Sequence, residues 1–173
     1  MAAESPPTLY VLAGPNGSGE STLAAQLLAA VATPPARWIN ADEIALRMRA
    51  ETCDDTDKSL AAAIEADRLR NAALDAGQDL ITETVMSDDR WVLFFEQAKA
   101  RGYRIALYFV TTCDPAINVA RVRTRVALGG HAVSEDRIRS RYAKVMERVL
   151  PRVLLLRTRR ICSTTAVSRG ECG

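Results

Sequence analysis

The sequence has few residues of the types that bind zinc. It contains one histidine, His131, and four cysteines that are scattered along the chain without a C-x-x-C pair. Zinc sites and disulfide-rich folds are built from several Cys or His residues at characteristic spacings. We therefore expect neither a zinc centre nor a disulfide framework.

The sequence also has no long apolar run. A membrane-spanning helix needs roughly 18 or more consecutive apolar residues, and no stretch approaches that length. The first residues, Met-Ala-Ala-Glu-Ser-Pro-Pro, lack the basic and then apolar segments of a signal peptide. The expectation is a cytoplasmic protein without a membrane partner.

A strong charge of either sign is absent as well. Lys and Arg number 23 against 21 Asp and Glu, which leaves a formal net charge of +2. So small a net charge gives no bulk attraction to nucleic acid, and no nucleic-acid partner is expected. With 173 residues, 48% of them hydrophobic, the chain can bury a real core, and its function has to be sought in a local site.

The most informative stretch is a glycine-rich loop near the start of the chain. An apolar, strand-like segment at residues 8–13 runs into it, and an Ala- and Leu-rich helical pattern follows at residues 22–32. A loop in this position binds phosphate, because its backbone N–H groups and the helix N-terminus converge on an anion. We expect ATP as cofactor, with Mg²⁺ bound by Ser21. The candidate phosphate-binding residues are Gly14, Pro15, Asn16, Gly17, Ser18, Gly19, Glu20, Ser21 and Thr22.

One position of this loop departs from the P-loop pattern G-x-x-x-x-G-K-[ST]. Glu20 stands where the lysine should reach the β- and γ-phosphates. At about 4 Å a lysine contributes on the order of 4 kcal/mol with an effective dielectric constant of 20, and a glutamate reverses the sign. Phosphoryl transfer should therefore fall by orders of magnitude, even if the loop still holds some nucleotide.

The rest of the chain alternates between strand and helix patterns. Strands are predicted at residues 37–40, 79–84 and 104–110, and helices at residues 60–76, 87–101, 115–128 and 134–149. This alternation predicts an α/β fold, a P-loop NTPase three-layer sandwich with a mostly parallel sheet. In the helix at 115–128, the predicted buried stripe consists of Ile117, Ala120, Thr124 and Leu128.

The end of the chain is less regular. Pro151 is expected to end the last helix, and residues 153–156 read either as a fifth strand or as a broken helix end. Beyond them we expect disorder. The predicted organisation is a P-loop kinase domain over residues 1–150 and a divergent tail over residues 151–173.

Acidic residues follow two of the predicted strands. Asp42 and Glu43 come after the second strand, and Glu83 and Thr84 end the third. The carboxyl ends of parallel strands form one ligand-binding edge, so these side chains should gather beside the loop. This is the layout of a kinase site, in which a carboxylate accepts the proton of the acceptor hydroxyl. Asp42 could instead cap a helix. Glu83 could be a surface carboxylate, or it could contact a ligand of a metal ion without binding the metal itself.

Several stretches resemble the zeta-toxin family of P-loop kinases over residues 8–150. The likeness implies an ATP-dependent kinase that phosphorylates a hydroxyl group of UDP-N-acetylglucosamine or a similar acceptor. It also implies the toxin of a toxin–antitoxin pair, so an antitoxin protein is an expected partner. The stretches are residues 14–22, Ile39-Asn40-Ala41-Asp42-Glu43-Ile44-Ala45, Thr82-Glu83-Thr84-Val85-Met86-Ser87, Gly129-Gly130-His131-Ala132-Val133 and Ile138-Arg139-Ser140-Arg141-Tyr142.

The resemblance assigns a role to each matching position. Asp42 corresponds to the general base, and arginines near the Gly129-Gly130 pair would neutralise charge on the transferred phosphoryl group. Arg121 and Arg125 are the expected pair, because they lie four residues apart and share a helix face. The residues implied on the substrate side are Glu43, Glu83, Thr84, His131 and Arg141.

Three other functions share some of these features. A kinase of another hydroxyl acceptor, such as an antibiotic, a nucleoside or an RNA end, would use the same residues. An inactive module that binds a nucleotide or an antitoxin is the non-enzymatic alternative. Transporter-type and chromosome-maintenance ATPases share the loop, but this chain lacks their Ser-Gly-Gly signature and their apolar strand ending in Asp-Glu.

Overall fold

The protein is built on a five-stranded sheet in which every neighbouring pair of strands is parallel. A computed structural model describes residues 5–20, 36–52, 58–130, 132–156 and 161–167, with the backbone alone at 52 and 161–167. The order of the strands is β2-β3-β1-β4-β5. The predicted α/β class and parallel sheet are thereby confirmed. The strands are β1 (Thr8–Ala13), β2 (Arg37–Ile39), β3 (Leu80–Thr84), β4 (Arg104–Thr111) and β5 (Ile161–Val167).

Helical segments connect the strands. Three of them, Ser59–Asp75, Arg90–Ala100 and Pro115–Ala127, begin and end close to the bounds predicted from the sequence. They are α1 (Ala41–Thr52), α2 (Ser59–Asp75), α3 (Arg90–Ala100), α4 (Pro115–Ala127), α5 (Glu135–Ala143), a π-helix (Lys144–Val149) and α6 (Leu150–Leu155). The predicted helix at residues 22–32 lies outside the described residues.

Strand β1 is central because it pairs with β3 on one side and β4 on the other. Ala13, its last residue, lies opposite Thr84 of β3 and Phe109 of β4. The three strands therefore end nearly level, and the loop that follows β1 emerges between its two neighbours. This register places the loop at the middle of the ligand-binding edge.

Both faces of the central strand are buried, as expected of a parallel sheet. Leu9 and Val11 belong to the main hydrophobic cluster, which extends to Phe95 of α3 and Val145 of the π-helix. Leu12 lies on the opposite face, where it packs with Ile81 of β3. The alternation along β1 thus supplies the core on both sides of the sheet.

The buried face of α4 was predicted wrongly. Leu128 is 84% exposed, and Ala120 and Thr124 are exposed too. The residues that the helix buries are Asn118, Val119 and Val122. The helix instead buries a neighbouring face, on which Val119 and Val122 pack with Ile138 while Asn118 makes polar contacts with the glycine-rich loop.

The C-terminal part also differs from the prediction. Helical structure does not end at Pro151, because this residue lies in the first turn of α6, where its missing N–H is tolerated. Of the two alternatives for residues 153–156, the helix end is therefore correct and the strand is wrong. The fifth strand is Ile161–Val167, within the tail that was expected to be disordered, and it pairs with β4.

Two further observations concern the cysteines and the length of the apolar helices. Cys113 is disulfide-bonded, contrary to the expectation drawn from cysteine spacing. The other three cysteines lie outside the side chains that the structure describes. None of the described helices is long and apolar enough to cross a membrane.

Candidate active site

The glycine-rich loop begins with a residue that has no room for a side chain. A Cβ atom on Gly14 would lie 2.2 Å from the carbonyl oxygen of Val110, at the end of β4. The Gly14 N–H donates to the carbonyl oxygen of Thr84 across a distance of 3.2 Å. The start of the loop is thus held between the ends of β3 and β4, and glycine is required by this close approach.

The curve of the loop depends on two glycines in the left-handed region. Gly17 has φ of 84° and Gly19 has φ of 104°, values that residues with a Cβ atom rarely adopt. Between them, the Ser18 N–H donates to the carbonyl oxygen of Pro15 at 3.0 Å. Successive N–H groups in such a turn form a concave anion-binding site, so the backbone fits a phosphate.

Asn118 of α4 holds this loop through hydrogen bonds, although no sequence pattern indicated this residue. Its side chain is fully buried, and its Nδ2 donates to the Asn16 carbonyl oxygen at 2.8 Å and to Ser18 Oγ at 3.1 Å. Its Oδ1 accepts a hydrogen bond from Thr112 Oγ1, just after β4. A buried amide with every group paired rigidifies its surroundings, so Asn118 sets the conformation of the loop.

Asn40 connects the ends of β2 and β3. Its Nδ2 donates to Glu83 Oε2 at 3.1 Å, and its Oδ1 accepts from the Asp42 N–H at 2.8 Å. Asn40 is therefore the residue that caps α1, and the alternative in which Asp42 serves as the cap is wrong. Asp42 lies exposed in the first turn of α1, two positions after Asn40, the residue that bonds to Glu83.

The chain after β3 is strained beside the site. Met86 is fully buried and has φ of 55°, the only non-glycine residue with positive φ in the described part of the chain. Its N–H donates to Thr84 Oγ1 at 2.9 Å. A long side chain in this conformation costs of order 1–3 kcal/mol, and such strain tends to occur where a loop has to be held in a particular course.

Three arginines approach the loop from α4 and α5. Arg121 Nη1 donates to the Ser18 carbonyl oxygen at 3.4 Å, and Arg141 Nη1 donates to Asn16 Oδ1 at 3.1 Å. Arg125 is close enough to Glu20 to lower the pKa of its carboxyl group. By contrast, Arg123 pairs with Glu135 on the far side of α4.

The environment of Arg141 joins the loop to the β2 side of the site. Burial lowers the pKa of its guanidinium group, and the nearby charge of Arg137 lowers it further. Asp42 and Asp88 oppose this change. Arginine nevertheless remains a cation at neutral pH, so positive charge lies between the loop and Asp42.

Glu20 is buried in the loop, with only 9% of the residue exposed. Burial raises the pKa of its carboxyl group well above the ordinary value, and repulsion from Glu83 raises it further. The backbone N–H groups of Ser18 and Glu20 donate to the carboxylate and oppose this rise. The carboxylate thus occupies part of the volume where a P-loop lysine would meet phosphate oxygens.

The remaining predicted residues are placed differently. Glu43 Oε1 accepts a hydrogen bond from Trp38 Nε1 at 2.8 Å, on the exposed side of β2. The structure does not describe Ser21, Thr22 or His131. Among the described residues, no cluster of three or more His, Cys, Asp or Glu side chains could hold a metal ion.

A buried arginine supports the site from behind the sheet. Arg70 of α2 is 5% exposed, and its Nη1 donates to Thr82 Oγ1 at 3.2 Å. Thr82 Oγ1 in turn donates to the Ile39 carbonyl oxygen at 2.9 Å, and the guanidinium lies 4.9 Å from the centre of the Trp91 ring. Sequence pattern offered no signal for Arg70, since most helical arginines are exposed.

The residues fit an ATP phosphate chain only in part. The loop backbone and the arginines of α4 and α5 supply the donors and charge that phosphate requires. Glu20 does not fit, because it places a buried carboxyl group against the same N–H groups. The site therefore supplies donors and positive charge to a phosphate, with one opposing residue, Glu20.

Several known proteins are similar to this chain in sequence or in fold. A protein of Haemophilus influenzae, described as uncharacterized, is 30% identical over an alignment of 143 residues that covers 75% of this chain and 88% of that protein. A candidate kinase from Chloroflexus aurantiacus has a similar fold, with a TM-score of 0.66 and 18% identity over 95% of this chain and 90% of that one.

A second solved structure with this fold comes from the PezAT chromosomal toxin–antitoxin system of Streptococcus pneumoniae. It matches with a TM-score of 0.64 and 15% identity, and the match covers 95% of this chain and 70% of that one. The family model described as "Zeta toxin" matches residues 1–159. The chain therefore belongs to the zeta toxin family.

Proposed function

We propose that this protein is a small-molecule kinase of the zeta-toxin type whose activity is impaired by Glu20. The observation that carries the proposal is the convergence of the phosphate loop, the Asn40 link to Asp42 and Glu83, and the arginines of α4 and α5 at one sheet edge. ATP would supply the phosphoryl group. The acceptor would be a hydroxyl of UDP-N-acetylglucosamine or of a similar compound.

The described residues divide the work between them. Asp42 would take the proton of the acceptor hydroxyl, since it lies exposed at the start of α1. Glu83, Thr84 and Arg141 would bind the acceptor. Arg121 and Arg125 would neutralise phosphate charge, and Ser21 would hold Mg²⁺. Glu43 and His131 complete the proposed acceptor side.

Restoring the lysine tests this function. We expect Glu20→Lys to raise ATP turnover about a hundredfold or more, because the change in electrostatic energy amounts to several kcal/mol and about 1.4 kcal/mol corresponds to tenfold. The measurement is phosphate release and transfer from labelled ATP. UDP-N-acetylglucosamine is the first acceptor to screen, followed by nucleosides, antibiotics and RNA 5′-hydroxyl ends.

A matched variant identifies the base. Asp42→Asn in the Glu20→Lys background should keep ATP binding and lose about 10²–10⁴ of the transfer rate. Equal ATP hydrolysis by the original and the lysine-containing protein would contradict the role assigned to Glu20.

A second candidate function is a binding module without turnover, and Glu20 is the observation that favours it. The PezAT system shows that a protein of this fold occurs with an antitoxin, so an antitoxin is the proposed protein partner. A rise in the unfolding temperature with ATP, but no turnover in either the original or the Glu20→Lys protein, would support this function over the kinase.

A further inference from the structure

The carboxyl group of Glu20 lies inside the loop and not at its rim. Gly19, its neighbour, is exposed, whereas Glu20 is 9% exposed. A methyl group on Gly14 would lie 3.2 Å from Glu20 Cγ and 3.3 Å from its Cδ. The side chain therefore runs from the end of the loop back across to its first residue.

The groups that meet this carboxylate are the ones that a phosphate would use. The backbone N–H groups of Ser18 and Glu20 donate to it. The Ser18 N–H also donates to the Pro15 carbonyl oxygen within the turn, at 3.0 Å. Arg125 contributes a favourable charge, and Glu83 an unfavourable one.

An acid in this position differs from an acid that merely faces the loop. A carboxylate that faced the loop without touching it would repel a phosphate through space. Replacing that carboxylate by the neutral amide of glutamine would remove the whole repulsion. An acid that accepts hydrogen bonds from the loop N–H groups has to leave before a phosphate can enter. Because it is tethered to the loop, its effective concentration at those N–H groups is high.

We infer that the Glu20 carboxyl group fills the phosphate position of the loop, so that a phosphate ligand binds only by displacing it. This inference rests on the proposed function for the assignment of the loop as a phosphate site. It adds that Glu20 decides which ligands the loop accepts. Removing the side chain should open the site without any lysine.

The experiment compares Glu20→Ala and Glu20→Gln with the original protein. Binding of inorganic tripolyphosphate and of ATP with Mg²⁺ is measured by calorimetry at fixed pH and salt. Glu20→Ala should bind tripolyphosphate at least about tenfold more tightly than the original, a factor that corresponds to roughly 1.4 kcal/mol. Glu20→Gln should fall between the two, because its amide oxygen still accepts from the loop N–H groups. Glu96→Ala, an exposed change of equal net charge on α3, should leave binding unchanged.

Equal tightening by Glu20→Ala and Glu20→Gln would overturn the inference, since charge repulsion alone would then account for the effect. Equal binding by the original and Glu20→Ala would overturn it as well. If Glu20→Ala gains affinity for tripolyphosphate but not for ATP, the inference stands and the proposed kinase function fails.

A second measurement does not need the alanine variant to fold. The Ser18 amide proton, observed by NMR, should shift when Glu20→Gln replaces the carboxyl group beside it by an amide, because the strength of a hydrogen bond depends on its acceptor. The amide protons of α3 serve as the internal reference. An unchanged Ser18 amide proton would contradict the contact on which the inference depends.

Discussion

Asn118 links the phosphate-binding loop to α4 through a single side-chain amide. Its Nδ2 donates to two groups of the loop, the Asn16 carbonyl oxygen and Ser18 Oγ, while Thr112 donates to its Oδ1. The residue is fully buried, so none of these groups can turn to water instead. The conformation of the loop therefore depends on a residue about a hundred positions further along the chain.

Asn118→Ala should destabilise the protein by about 1–3 kcal/mol, because it leaves buried partners without hydrogen bonds. The measurement is the free energy of unfolding in urea. Thr124→Ala is the matched control on the same helix, since Thr124 is exposed and its hydroxyl group donates to the Ala120 carbonyl oxygen. A cost for Asn118→Ala no greater than that of the control would contradict the structural role of Asn118.

Residues at strand ends could be selected from the sequence, whereas their buried partners could not. The geometry of a parallel sheet brings the ends of β1, β2 and β3 to one edge, so Asp42 and Glu83 were identifiable. Asn118 and Arg70 are polar residues on helices, and a pattern counts such residues as exposed. Only the folded chain shows that both are buried against polar groups.

Helix α2 is joined to the sheet by polar as well as apolar contacts. Its Ala62, Ala66 and Ala73 are fully buried, and these small side chains allow a close approach. Arg70 fills the remaining space by bonding to Thr82 and Asp67 and by stacking on Trp91. The helix thereby holds β3 and, through Thr82, the end of β2.

Arg70→Met should lower the free energy of unfolding by about 2 kcal/mol, since hydrogen bonds from a buried charge are lost while the aliphatic volume is kept. Arg68→Met is the matched change on the same helix, and it should leave stability nearly unchanged because Arg68 is exposed and pairs with Glu65. Denaturant unfolding of both variants is the measurement. Indistinguishable stabilities for the two would show that Arg70 does not support the sheet.

Helix α4 shows why the position of an element is easier to predict than its orientation. The Asp114-Pro115 start was predicted, and Asp114 Oδ1 accepts from the Ala116 N–H at 2.7 Å. The buried face was wrong because α4 contacts the loop backbone near Gly17, where a Cβ would lie 2.7 Å from the Asn118 carbonyl oxygen. The inward face carries Val119 and Val122, which pack with Ile138, so the sequence offered two apolar stripes and only the folded chain shows which one is buried.

The order of the strands gives the molecule a protected centre and a weaker edge. Strand β1 pairs with β4 from Thr8 to Ala13 and with β3 from Leu9 to Ala13, whereas β2 has three residues and, among the described strands, one partner. The glycine-rich loop therefore follows the central strand of the sheet. Asn40, by contrast, follows a strand at the edge of the sheet. Sequence pattern predicted the alternation of elements but not this division, since strand order depends on contacts between distant residues.

Hydrogen exchange should reveal this difference. Amides of β1 are expected to exchange only through global unfolding, and those of β2 through local opening at much lower free energy. Exchange followed by mass spectrometry, over peptides covering residues 8–13 and 37–39, gives the comparison. Slower exchange in β2 than in β1 would contradict the strand order.

The attachment of α4 to the loop also determines how much the charges around the site must rearrange. Asn118, Arg121 and Arg125 belong to one helix, and Asn118 ties that helix to the loop, so Arg121 and Arg125 keep a fixed position relative to the loop. Their field is preorganised, and ligand entry requires little reorganisation energy from them. Arg141 belongs to α5, beyond the Gly129-Gly130 pair, and keeps its place through Asn16. The positive charge at the loop is thus divided into a part fixed by the fold and a part whose position depends on one side-chain contact.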